Sequence, residues 1–305
     1  MSAPAAAPPD VAAGYARIRG DLPTAVRGRA RLVWVEGPDA EGFLQGLLSA
    51  DVARLAPGEG ARALMLDAKG RIGADMAVHR DAGDAFTLVV APALADGLAE
   101  ALERYHFSED LELLGPEEAD TLTLAGLPAP PGGVATLIVP GLVPGTAEAV
   151  VDDPAAALAA LARAGAEEAP GAALEMARIA AGAPRVGVDT GPATLVQEAA
   201  LEDVAVSFDK GCYLGQETVA RLQYRGRANR RLRGLLLPDP PPAAGAAVTL
   251  PGGREAGVLT SVAATPDLGP VGLAVLRREA APGDEVAVAG SDRPARVVDL
   301  PFGRP

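Results

Sequence analysis

The chain has 305 residues, a formal net charge of −13, 49% hydrophobic and 22% charged positions. These figures exclude a disordered polymer and favour two domains, with three small ones or one large one also allowed, and no apolar run reaches the roughly 18 residues of a membrane span. The charge opposes long-range attraction to nucleic acid and anionic membranes while leaving a local basic site open.

The opening MSAPAAAPPD has neither the basic nor the apolar region of a signal peptide, and the single cysteine closes no intrachain disulfide. A cytoplasmic protein is therefore expected, with its first ten residues lacking regular structure. Ala30–Gly37 has strand character and leads into a short helical pattern with Phe43, Leu44, Leu47 and Leu48 on one side. Two further strands, ARALMLD and IGADMAVHR, flank AKGR at 68–71 and read as a hairpin, with Gly70 at the turn. AFTLVVA is another strand, followed by a helix in which Leu94, Leu98, Leu102 and Tyr105 form a stripe. His79 and His106 have no partner at ligand spacing and read as structural or solvent-facing.

From Gly115 to Gly171 the chain is rich in Gly, Pro and Ala, and no function is legible there. Short strands and a weak helix over Pro154–Arg163 are expected, then a better helix over Ala173–Gly182. After Leu232, six short apolar runs broken by Gly/Pro turns predict a small antiparallel barrel or sandwich.

DKGCYLGQETVARLQYRG, at 209–226, concentrates what the rest of the chain lacks. It holds the only cysteine, one of two lysines and the start of an arginine cluster. Cys212 falls in a turn before a helix, where free backbone N–H groups favour a thiolate and Lys210 is a candidate for electrostatic support. The competing reading is a small buried hydrophobe filling a turn. One thiol builds no Cys₄ site within one chain, so no stably bound metal is expected and any iron–sulfur chemistry needs a second molecule. Arg221, Arg225, Arg227, Arg230, Arg231 and Arg233 suit carboxylates or phosphates, or else pair with surface acids. Direct RNA binding is disfavoured because Tyr213 and Tyr224 are the only aromatics among them.

Taken together, KGCYLGQE with FLQGLLSADV, LDAKGRIGAD, RIAAGAPRVGVD and LVQEAALED in this order resembles the folate-binding YgfZ family, relatives of the glycine-cleavage T protein. The resemblance implies an α+β fold, a three-lobed ring around a folate-accommodating cavity. Its lobes are a discontinuous antiparallel α/β domain (11–50 and 115–175), a ferredoxin-like domain (51–114 and 176–231) carrying KGCYLGQE near the cavity, and a C-terminal antiparallel β-barrel (232–305). It implies tetrahydrofolate or a derivative as cofactor, Glu198 as the pterin-gripping carboxylate and Arg227 near the folate tail. It also implies Cys212 as working thiol in maturation or repair of iron–sulfur proteins, with client or assembly proteins as partners and consequences for tRNA modification. Two departures from the transferase pattern are Val196 before Gln197–Glu198, where proline is usual, and VVAP at 89–92 in place of VVNA, which leaves Asp96 a weak counterpart of the transferase aspartate. A tetrahydrofolate-dependent aminomethyltransferase and an RNA-binding or scaffold protein are the alternative readings.

Overall fold

The computed structural model describes residues 7–127 and 133–303. Helix α1 (Pro9–Arg19) takes in the last two of the ten residues expected to lack regular structure, and its Val11, Tyr15 and Ile18 face inward. Pro9 opens it at no hydrogen-bond cost, and Asp10 at its start and Arg17 and Arg19 at its end complement the helix dipole. The expectation for residues 1–6 lies outside the described residues.

A sheet of eight strands follows, built on β1 (Thr24–Glu36). After it come α2 (Ala40–Leu47), β2 (Gly60–Leu66), β3 (Ile72–Arg80), β4 (Ala85–Val90), α3 (Pro92–Tyr105) and β5 (Glu112–Ala125). β6 (Leu137–Pro140), β7 (Ala147–Val151), α4 (Pro154–Arg163) and β8 (Glu167–Glu168) complete it. The order is β2-β3-β4-β1-β5-β7-β6, with β8 joining β1 in parallel and every other pairing antiparallel. The border expected between residues 114 and 115 falls inside β5, which pairs along the whole of β1. Sequence patterning missed β5 because only its C-terminal end is buried, leaving Glu112, Glu117 and Glu118 in solvent.

One face of this sheet packs α2 and α3 through Val33, Val35, Met76, Phe86, Leu88 and Val90. Phe43, Leu44 and Leu47 of α2 are buried there, each side chain contributing about 1.5–3 kcal/mol. On the other face the sheet curls until β6 reaches β2: a Cβ on Gly60 would lie 3.1 Å from Val139 Cγ1. Ala30, Leu32, Ala77, Val89, Val139 and Val150 fill that concave side.

The remaining helices are α5 (Gly171–Ala180), α6 (Glu202–Ala205) and α7 (Gln216–Arg225). A closed barrel ends the chain, from β9 (Arg230–Leu236) through β10 (Ala247–Thr249), β11 (Glu255–Thr265), β12 (Gly269–Arg277), β13 (Glu285–Val288) and β14 (Ala295–Val298). These are the six runs expected from the sequence. α1 and α5 pack between sheet and barrel, burying Tyr15, Met176 and Ile179 with Leu232, Val271, Leu273 and Phe302. The fold is thus α+β with a C-terminal antiparallel β-barrel. Among the described residues no helix is long and apolar enough to cross a membrane.

Candidate functional site

The concave side of the curled sheet holds a cavity of about 150 Å³. Met76 and Ala77 of β3, Val89 and Val90 of β4, and Leu94 and Leu142 give it apolar walls, while Arg29, Arg62, Asp75, Glu148 and Arg185 bring charge. Arg62 donates to both oxygens of Asp75, at 2.9 and 2.6 Å, and each side chain is 11% exposed. That fork is satisfied internally. Burial pushes the Glu148 carboxyl up from its ordinary range, as expected for an acid on the inner face of a strand. Arg185 is positioned by an ion pair with Glu175 and by its own N–H, which donates to Asp189 Oδ2 at 2.9 Å.

A second constellation is the loop before α7. Lys210 is buried, and its ammonium donates to the carbonyls of Gln45 at 2.7 Å, Leu48 at 2.6 Å and Ala50 at 2.8 Å. These groups lie at the C-terminal end of α2, where orphan carbonyls and the helix dipole favour a cation. Burial pushes the Lys210 pKa down to about 8, with Asp51 opposing. All three donors are thus spent on α2, so Lys210 holds the loop in place and has no N–H left for the Cys212 thiol.

Further along, the Leu214 N–H donates to Gly46 O at 3.0 Å and Gln216 Nε2 to Gly211 O at 3.3 Å. Gly215 takes φ +81°, and a Cβ there would meet Asp67 O at 2.5 Å, so the AKGR turn and the cysteine loop touch. Tyr213 and Val219 are buried against Leu64, Leu66 and Ile72. Between these anchors Cys212 is exposed. Its loop is fixed and its sulfur is open to solvent.

The structure does not bring the other expected residues to the cavity. Glu198 Oε2 accepts from the Leu195 N–H at 3.1 Å and its carbonyl accepts from Leu232 N at 2.7 Å, which makes it a turn cap joining the sheet region to the barrel. It does not line the cavity. Arg227 lines a separate groove beside the barrel. Asp96 is ion-paired with Arg31 at 2.7 Å, and its side chain is 76% exposed. His79 binds Asp81 at 2.9 Å and His106 meets Glu109 O at 3.1 Å, both local contacts. Among the described residues no group of three His, Cys, Asp or Glu side chains is placed to hold a metal ion.

Sequence reasoning missed Glu148, Arg62 and Asp75. Glu148 alternates onto the same face of β7 as the buried Val150, and Arg62 and Asp75 are opposite charges diagonal across a hairpin. Both signals were present, but reading them requires knowing which face curls inward.

Among known families, the GCVT N-terminal domain matches residues 29–128, and the glycine cleavage T-protein C-terminal barrel domain matches 230–303. A Haemophilus influenzae protein without an assigned function is 31% identical over 212 residues, spanning 66% of this chain and 68% of its own. The tRNA-modifying protein YgfZ of Shigella sonnei is 29% identical over 244 residues, spanning 73% and 72%. In three dimensions the chain is similar to the glycine cleavage system aminomethyltransferase T of Bartonella henselae, with TM-score 0.80 and 24% identity over 99% of this chain and 91% of that one.

Proposed function

The chain belongs to the glycine-cleavage T-protein family, in its YgfZ branch, and on that premise we propose that it binds a folate and uses Cys212 in the maturation or repair of iron–sulfur proteins. The observation that carries this reading is the exposed thiol on a loop pinned by Lys210 and Gly215. A thiol held this way is open to a second macromolecule without prior loop ordering.

The residues of the cavity fit a pterin. Its flat ring suits the walls of Ala77, Val89 and Leu142, and its amino and N–H edge suits a carboxylate. Glu148 supplies that carboxylate, since Asp75 is already committed to Arg62. Arg29, paired with Glu118 and Asp120, and Arg185, paired with Glu175, are the cations that the acidic tail would have to draw from those partners. When bound, a tetrahydrofolate supplies a ring able to carry a one-carbon unit. Among the described residues Cys212 has no metal-ligating cluster around it, and in this reading its chemistry is directed at a client or assembly protein that brings the other ligands or the sulfur.

Calorimetric titration with tetrahydrofolate tests the ligand. Binding should be lost in Glu148→Gln and kept in Glu198→Gln and Cys212→Ala. Absence of binding to folded wild type removes the folate part. The thiol part is tested in cells lacking the protein, where Cys212→Ala should fail to restore iron–sulfur enzyme activity. Full restoration by that variant removes it.

A further inference from the structure

A groove of about 570 Å³ between the C-terminal half of α7 and the start of β9 has none of its lining residues in common with the cavity. Arg227, Arg230, Arg231, Arg233 and Arg278 line it. Arg231 pairs with Glu202 at 2.8 Å and Arg233 with Asp299, whereas Arg227, Arg230 and Arg278 have no carboxylate partner among the described residues. In a chain of net charge −13, three unneutralised guanidinium groups in one concavity create a local field that attracts an anion.

Two observations narrow the chemistry. Gln197 and Glu202 form the floor and are 5% and 6% exposed, yet Gln197 Oε1 and Glu202 Oε2 have no hydrogen-bond partner among the described residues. Both are acceptors, so the missing partner is a donor. Inorganic phosphate brings one hydroxyl as its dianion and a phosphate monoester dianion brings none on its phosphate, whereas a ribonucleotide brings several hydroxyl and amino donors beside its phosphate, enough for both acceptors. At the same end of α7, outside the groove's own lining, Tyr224 is 69% exposed and braced edge-on by Phe208 at 6.1 Å between ring centroids. A braced, exposed ring is a platform on which a base stacks.

We propose that this groove binds a ribonucleotide phosphate, either as a free nucleotide or within single-stranded RNA. The arginines hold the phosphate, the floor acceptors take hydroxyl or amino hydrogens, and Tyr224 stacks on the base. The expectation from sequence that RNA contact is disfavoured rested on the net charge of −13 and on a count of aromatics, while leaving a local basic site open.

The test is fluorescence anisotropy of the full chain with a labelled single-stranded RNA dodecamer, across a salt series. The double variant Arg227→Glu/Arg230→Glu should weaken binding at least tenfold and lower the salt slope by roughly 0.7 for each phosphate no longer neutralised. The pair Arg104→Glu/Arg163→Glu, with the same charge change on α3 and α4, should leave affinity within twofold. Tyr224→Ala, which changes no charge, should weaken binding several-fold, and thermal unfolding confirms that each variant is folded. Displacement of the RNA by AMP assigns the groove to free nucleotides, and its persistence assigns it to the strand; either upholds the proposal. Equal weakening by the two charge-reversal pairs overturns it, as does wild type that takes up neither RNA nor AMP at low salt.

Discussion

Gly70 and Gly215 lie against each other across 145 residues of chain: a Cβ built on Gly215 would stand 3.1 Å from the Gly70 Cα, and both residues have left-handed φ, +76° and +81°. This approach seats the cysteine loop on the β2–β3 hairpin. Gly215→Ala adds a methyl group 2.5 Å from Asp67 O at a left-handed position, so it should cost about 2–4 kcal/mol in urea unfolding. Gly211→Ala, next to the thiol but with open space around it, should cost under about 1 kcal/mol. Equal costs for the two would show that the glycine pair does not set the loop.

Lys210→Met should destabilise the protein by about 3 kcal/mol at neutral pH, because three carbonyls at the end of α2 lose their donor. The pH dependence has a defined sign. With the folded pKa near 8 and the ordinary value 10.5, the unfolded chain binds more protons between these limits. The contribution from this titration is complete above pH 10.5 and lost as the pH falls through about 8. Stability of wild type relative to Lys210→Met should therefore rise across that window, by up to about 3 kcal/mol. A flat difference would sink the assignment.

The Tyr213 hydroxyl is buried without a hydrogen-bond partner among the described residues, and burial alone pushes its pKa up to about 12 from 10.0. Its stabilising contribution is present below pH 10 and lost as the pH rises through about 12. In a spectrophotometric titration, the phenolate signal missing from Tyr213→Phe should centre near pH 12. The same variant should gain about 1 kcal/mol at neutral pH, since it removes an unpaired hydroxyl while keeping the ring beneath the Lys210 ammonium.

Arg178 and Asp189, 1% and 0% exposed, form an ion pair at 2.7 Å that Thr260 and Ser261 of β11 complete by donating to Asp189 Oδ1, each at 2.6 Å. Asp189→Asn should cost about 2–3 kcal/mol, because the buried guanidinium loses one of its two carboxylate partners and keeps Glu175 at 2.7 Å. Arg178→Met combined with Asp189→Leu should recover part of that cost. A double variant as unstable as the sum of the singles would argue against a coupled pair.

Cys212 should react stoichiometrically with a disulfide reagent in native buffer, at a rate unchanged by sub-denaturing urea. A reaction that awaits unfolding would contradict its exposed placement.

Much of the architecture could be read in advance where burial follows a simple period. The six barrel strands show apolar runs between Gly/Pro turns, and α3 shows its stripe through Leu94, Leu98 and Leu102. β5 could not be read this way because solvent covers most of its length. At the site, the motif pointed to the exposed thiol but not to what Lys210 does, since the carbonyls it binds lie at least 160 residues away. Glu198 attracted attention through resemblance, and the contact its carboxylate makes with the Leu195 N–H could not be read from the motif. Glu148 could be recognised only after the curl of the sheet had decided which side of β7 is inside.

The Lys210 clamp also sets an order of events during synthesis. The carbonyls of Gln45, Leu48 and Ala50 leave the ribosome at least 160 residues before the ammonium that satisfies them. At usual translation speeds that interval is about ten to thirty seconds. Through it the nascent N-terminal half carries an uncapped helix end, and the segment that closes it is the one that brings the cysteine. The cysteine loop therefore closes onto a helix end that was made well before it.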